Sequence, residues 1–146
     1  LFCGVLMCQV FCQEEQFMST STVFTAAVRG IGVEFIRVEA DISNGLPVFH
    51  MVGYLSSEVK EAAERVRKAI KNTGLEYPPK RTVVNLSPAT IKKKGASFDL
   101  PIAVAILTAL GKIPKKAIKD KLFIGEVAFF ENKIRIFGQT FQTSFL

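Results

Sequence analysis

A chain of 146 residues with 49% hydrophobic and 22% charged side chains is long enough for one domain with a real core, and its composition is not that of a disordered chain. The formal net charge of +6 favours an anionic partner, whether nucleic acid, nucleotide or an acidic protein face. With one histidine and with all its cysteines at Cys3, Cys8 and Cys12, the chain excludes a multi-histidine metal site, and the fold beyond residue 12 cannot depend on an internal disulfide.

Leu1 to Phe17 contain no Lys or Arg, so the basic start of a signal peptide is missing, and their apolar run is shorter than the ~20 residues a membrane helix needs. Met18 and the Ser-Thr-Ser-Thr after it read as a natural start. Residues 1–17 are therefore expected to be an N-terminal extension or cloning remnant, and residues 18–146 the domain. The cysteine usage suits a reducing cytoplasm, and no membrane partner is expected.

From Val23 to Arg29 the residues alternate as in a strand, and Gly30-Ile31-Gly32 marks a tight reversal. Ile36, Val38, Ala40 and Ile42 then share one face of a second strand. Ser43-Asn44-Gly45 is a turn signal, and Leu46-Pro47 leads into a third strand, Val48 to Val52. Together these predict a three-stranded antiparallel meander. His50, in the third strand, is expected to be a packed or edge residue. Ser57 is expected to cap a helix running to Asn72, with Val59, Ala62, Ala63, Val66 and Ile70 on its buried face. Thr73-Gly74 stops that helix, and Pro78-Pro79 forbids its continuation. A fourth strand runs from Arg81 to Ser87.

Lys92-Lys93-Lys94-Gly95 precedes Ala96-Ser97-Phe98-Asp99 and an apolar run to Leu110. Asp99 is placed to cap that helix, which should be buried all round and should end at Gly111. A lysine run and a glycine at a buried helix N-terminus make a candidate anion site. A basic connector from Lys112 to Lys121 has room for one short helix. A strand from Leu122 to Val127 and another from Lys133 to Phe137 follow.

Ordered blocks carry a resemblance from about Val23 to Glu126. They are Asp41 to Pro47; Glu58-Val59-Lys60-Glu61 through Asn72; Pro78-Pro79-Lys80-Arg81; Val84 to Pro88; Gly95 to Ala103; and Leu122 to Glu126. The chain resembles the N-terminal domain of magnesium-chelatase-related AAA+ proteins of the ComM/YifB type. The resemblance implies an α+β fold of the ribosomal protein S5 domain 2-like kind, similar to the proteolytic domain of Lon, with a mixed sheet packed against helices. It also implies a bacterial, cytoplasmic parent with an AAA+ ATPase module that would hold ATP and magnesium, and a link to DNA processing in competence. The sequence around Phe129 to Phe137 only partly follows the family.

No GxxxxGK[ST] loop is present, so the chain is expected to be a non-enzymatic piece truncated before the ATPase module, with no cofactor or metal of its own. As an accessory domain it would engage DNA or organise the ATPase ring. Lys80, Arg81, Lys92, Lys93 and Lys94 are the candidate phosphate contacts, and Tyr77 and Phe98 the aromatics near them. The alternatives are a degenerate Lon-like Ser-Lys peptidase and a purely structural oligomerisation domain. The Lon similarity puts Ser97 near the serine position and Thr140 where the lysine would stand, with Lys133 nearby but offset. The expected partners are the AAA+ module, DNA and further copies of the chain.

Overall fold

The computed structural model describes residues 19–130 and 133–142, so the expected extension at residues 1–17 lies outside the described residues. Strands β1 (Ser19–Arg29) and β2 (Gly32–Ser43) form an antiparallel hairpin in continuous register from Ser19↔Ile42 to Arg29↔Gly32. Gly30, at φ 62°, makes the reversal expected of Gly-Ile-Gly. In β2 the anticipated Ile36, Val38, Ala40 and Ile42 are all buried. Residues directly opposite in an antiparallel pair share a face, so this strong alternation sets the phase of β1. Ser21, Val23 and Thr25 turn inward, while Phe24 and Val28 face out. The inward hydroxyls lie near helix carbonyls: Ser21 Oγ donates to Ala105 O at 2.5 Å, and Ser19 Oγ donates to Ala109 O.

The antiparallel meander is corrected by β3 (Phe49–Val52), which does not pair with β2. Strand β4 (Arg81–Ser87) enters between them, antiparallel to β2 and parallel to β3. The segment after Asn44-Gly45 runs on through Pro47 before β3 begins, too long for a two-residue hairpin. β3 then leads through helix α1 (Ser57–Asn72) to β4, and a helical crossover of this kind joins parallel neighbours. Val84 and Leu86 of β4 are fully buried, whereas His50 and Val52 of β3 are exposed on the sheet edge. Strand β5 (Lys121–Phe130) lies parallel to β1, and β6 (Lys133–Gln142) is antiparallel to β5. The order is β3-β4-β2-β1-β5-β6 in one mixed sheet. β6 continues past Phe137 because Gly138 pairs with Gly125 and does not break the ladder.

The core joins this sheet to α1 and to α2 (Asp99–Ala109). Val59, Ala62, Val66, Ala69 and Ile70 form the buried stripe of α1, with Ala63 half-buried beside it. Ser56, one residue before the expected Ser57, occupies the N-cap position and makes no side-chain cap hydrogen bond. α2 is buried along nearly its whole length, as its apolar run, interrupted only by Thr108, predicts. It ends at Gly111 (φ 72°), where the Gly111 N–H donates to Thr108 O at 3.0 Å and the Lys112 N–H to Leu107 O at 2.9 Å. The basic connector holds the short helix α3 (Lys115–Ile118).

The outer sheet face stays apolar near the β1–β2 turn. Phe24 is 49% exposed, Val28 81%, Val33 59% and Phe35 59%. No helix of the described residues is long and apolar enough to cross a membrane.

Candidate functional site

The lysine run does not act as one unit. After a turn at Ala89-Thr90, Lys93 alone of the three pairs with the segment after β3, where Leu55 and Lys93 form a parallel bridge. The Lys93 N–H donates to Tyr54 O at 2.9 Å and the Ser56 N–H to Lys93 O at 3.0 Å, which fixes the Lys93 backbone against the segment after β3. Lys93 is fully buried and its amine donates to Pro88 O, while Lys92 and Lys94 are exposed. Lys93 is therefore withdrawn from the expected phosphate contacts. Burial holds its pKa below the usual lysine value.

A pH dependence follows from that shift. Between the lowered folded pKa and the ordinary lysine value, the unfolded chain binds a proton that the folded chain does not, so stability rises with pH through this window. Lys93→Met removes the buried charge. Its stability relative to the parent should therefore fall as pH rises toward the ordinary lysine value, measured by urea unfolding; a difference constant with pH would contradict this.

Asp99 is also reassigned. A short 3₁₀ turn, Ala96–Phe98, precedes α2, so Asp99 is already helical in backbone (φ −59°, ψ −48°) rather than an extended cap, and no side-chain cap bond forms. Its fully buried carboxylate instead receives a two-pronged grip from Arg65 of α1, Nε to Oδ2 at 2.7 Å and Nη2 to Oδ1 at 2.9 Å. Arg65 also donates to Glu58 O at 3.0 Å and lies 3.8 Å from Glu61. The hydrogen bonds that Arg65 donates to Asp99 raise the Arg65 pKa above its ordinary value, against desolvation. The expected anion site before α2 is occupied from within: the Gly95 N–H donates to Glu58 Oε2 at 3.0 Å, and Asp99 supplies negative charge in the first turn.

The five candidate cations do not converge. Lys80 and Arg81 stand at the start of β4, and Lys92 and Lys94 lie beyond its other end, ~20 Å away for a strand of this length. Lys80 shares its end of the sheet with Lys112. Tyr77 is turned inward, donating to Thr82 Oγ1 at 2.8 Å with Arg67 5.9 Å from its ring centre, and Phe98 is buried. Neither aromatic is an open stacking surface.

What does form at the Lys92 end is a groove of about 810 Å³. One wall is the β1–β2 hairpin from Ala26 to Gly30 with Val33; the other is Tyr54 and the segment carrying Thr90 to Phe98. Among the described residues, Arg29, Lys92 and Lys94 are its charged lining residues and no carboxylate lines it. The Lys92 amine lies 5.6 Å from the Tyr54 ring centre. Arg29 and Tyr54 escaped the sequence reading, because each is an isolated residue beside a glycine and converges only through the β1–β2 and β3–β4 pairings. Ser97 lies half-buried in the groove lining, and Thr140 is exposed on β6 opposite Phe123. The buried amine of this region, Lys93, is directed to a carbonyl rather than to Ser97. Among the described residues no group of three or more His, Cys, Asp or Glu could hold a metal.

Residues 38–141 match the family model described as subunit ChlI of Mg-chelatase. The chain is 45% identical over 111 residues to the Uncharacterized protein YifB of Escherichia coli (strain K12), and 41% identical over 111 residues to the Competence protein ComM of Haemophilus influenzae. Each alignment covers 76% of this chain and 22% of the relative, so the chain spans about a fifth of the length of these proteins. With its mixed sheet, helical layer and match along most of its length, the chain belongs to the family of the Mg-chelatase ChlI subunit, as a domain of the ComM/YifB type.

Proposed function

We propose that residues 18–146 form the non-catalytic accessory domain of a ComM/YifB-type AAA+ protein, with a ribosomal protein S5 domain 2-like fold. Its work is to dock polypeptide and organise the ATP-driven module, in a bacterial cytoplasm. ATP and magnesium belong to that module. The observation that carries this reading is the apolar end of the β1–β2 hairpin. Ile31 is fully exposed at the turn, and Val28, Val33 and Phe35 extend the patch along both strands. A contiguous exposed apolar surface of this kind marks a protein contact. No catalytic role is proposed for Ser97, since a Ser-Lys pair needs an amine within reach of the hydroxyl and Lys93 is committed elsewhere.

The test uses the E. coli relative with its matched segment exchanged for this domain. ATP-dependent assembly, followed by sedimentation velocity, should survive the exchange. It should be lost when the domain carries Val28→Ser, Ile31→Ser and Val33→Ser together. Normal assembly of that variant would remove the docking reading.

DNA engagement is the second reading, favoured by Arg29, Lys92 and Lys94 in a groove without a lining carboxylate among the described residues. If it holds, Lys92→Gln with Lys94→Gln should weaken binding equally for unrelated sequences and reduce the log–log salt slope by about two contacts. Lys93→Gln should alter stability but, at temperatures where the variant remains folded, not the slope. Fluorescence anisotropy at two salt concentrations measures both, and an unchanged slope in the double variant would remove the groove from DNA binding.

A further inference from the structure

Among the described residues, β2 between Gly32 and Ile36 has β1 on one side and no strand on the other, because the β2–β4 ladder stops at Arg37↔Ser87. A half-paired strand presents outward N–H and C=O groups to any extended segment laid beside it. The groove adjoins this stretch through Val33. Its apolar lining includes Ala27, Val28, Val33 and Ile91, and its lining charges, Arg29, Lys92 and Lys94, are all positive.

Within the docking reading above, we propose that this groove binds an extended acidic segment of a partner polypeptide, added as a strand along Gly32–Ile36 of β2. Alternate side chains of the added strand point to opposite faces: the apolar set packs on the face of Val28 and Val33, and the carboxylates between them turn to the face that carries Arg29, with Lys92 and Lys94 in the same groove. Backbone pairing supplies affinity and the side chains supply selection, as in other strand additions.

The lining argues against the other occupants. Single-stranded nucleic acid wants open aromatic faces, whereas of the two aromatics here Tyr54 has the Lys92 amine against its ring and Phe98 is buried, and the rest of the apolar lining is aliphatic. A second copy pairing antiparallel through the same stretch, centred on itself, would set Glu34 against Glu34, and like charges directly opposite are unfavourable. Glu34 stands opposite Ala27, outside the groove lining.

The probe is a short fluorescein-labelled peptide of alternating Glu and Val, titrated with the full chain at low salt. It should bind, while an alternating Lys and Val peptide should not. A Glu-only peptide of equal length and an oligo-dT should each bind at least about tenfold more weakly, because they lack the apolar half of the contact. Arg29→Glu, Lys92→Glu and Lys94→Glu combined should transfer the preference to the Lys-Val peptide, and Glu34→Gln should tighten Glu-Val binding. N-methylation at alternate peptide positions should abolish binding in one of its two registers.

Equal binding of Glu-only peptide, equal binding of oligo-dT, or full affinity in both methylated registers would overturn the proposal. So would an unswapped preference in a charge-reversed chain whose thermal melt matches the parent's. Failure of the Glu-Val peptide alongside loss of assembly in the hairpin variant would remove this inference and leave the docking reading standing. Normal assembly in that variant would remove the docking reading itself.

Discussion

Asp99→Ala should destabilise the domain by roughly 3–5 kcal/mol, because it leaves a guanidinium partly buried with no carboxylate to face. Arg65 is 26% exposed at its side chain while Asp99 is fully buried, so water can recover part of the loss and the lower end of that range is expected. Arg65→Ala should cost at least as much, since the stranded charge is then the fully buried one. Asp99→Asn should lose nearly as much as Asp99→Ala: an amide gives one acceptor and turns its N–H groups toward a donor. A helix-capping aspartate would behave differently, losing ~0.5–2 kcal/mol on change to Ala and less on change to Asn. The paired replacement Asp99→Leu with Arg65→Met should be much milder than either single loss. The raised Arg65 pKa also fixes the pH behaviour. Its contribution is fully present below the unfolded arginine value and is lost only above the still higher folded value, so neutral to mildly alkaline conditions should not weaken the pair. Urea midpoints of these variants decide the matter, and a mild Asp99→Asn would return Asp99 to a capping role.

The sequence was most legible where local pattern and tertiary need agree. Alternation in β2, the amphipathic stripe of α1 and the apolar run of α2 each correspond to a buried face, and Gly30 and Gly111 take the left-handed conformations their positions predict. Strand order was not legible, because nothing local to Val48–Val52 says that β4 will insert beside β2. The site failed for a related reason. Lys92, Lys93 and Lys94 look equivalent in sequence, but the bridge between Leu55 and Lys93 turns the middle one inward. Asp99 looks like a cap because an aspartate before an apolar run usually is one. Its true partner, Arg65, lies 34 residues away on another helix. Arg29 and Tyr54 belong to the groove only through long-range pairing.

Gly53→Ala should be the other severe substitution, at roughly 2–4 kcal/mol from backbone strain and forced contact together. Gly53 has φ 132°, a region that side-chain-bearing residues rarely adopt, and an added Cβ would lie 2.7 Å from the Leu86 carbonyl oxygen and 3.3 Å from Leu55 Cδ2. The first of these is rigid β4 backbone, so the chain after β3 must move. That movement reaches the groove directly, because Tyr54 O accepts the Lys93 N–H and the Ser56 N–H reaches Lys93 O. Displacing this pairing moves Tyr54 away from Lys92 and loosens the wall opposite the hairpin. Gly95→Ala is the internal control. Gly95 also has positive φ, 84° with ψ 172°, but an added Cβ there meets nothing within 4 Å, so only the backbone penalty of that glycine-favouring region, ~1–3 kcal/mol, applies. Gly53→Ala should therefore lower the urea midpoint more than Gly95→Ala and should also weaken Glu-Val peptide binding at temperatures where the variant remains folded. Equal midpoints would mean that β3 and β4 can separate at little cost, and that close approach at Gly53 does not hold the groove wall in place.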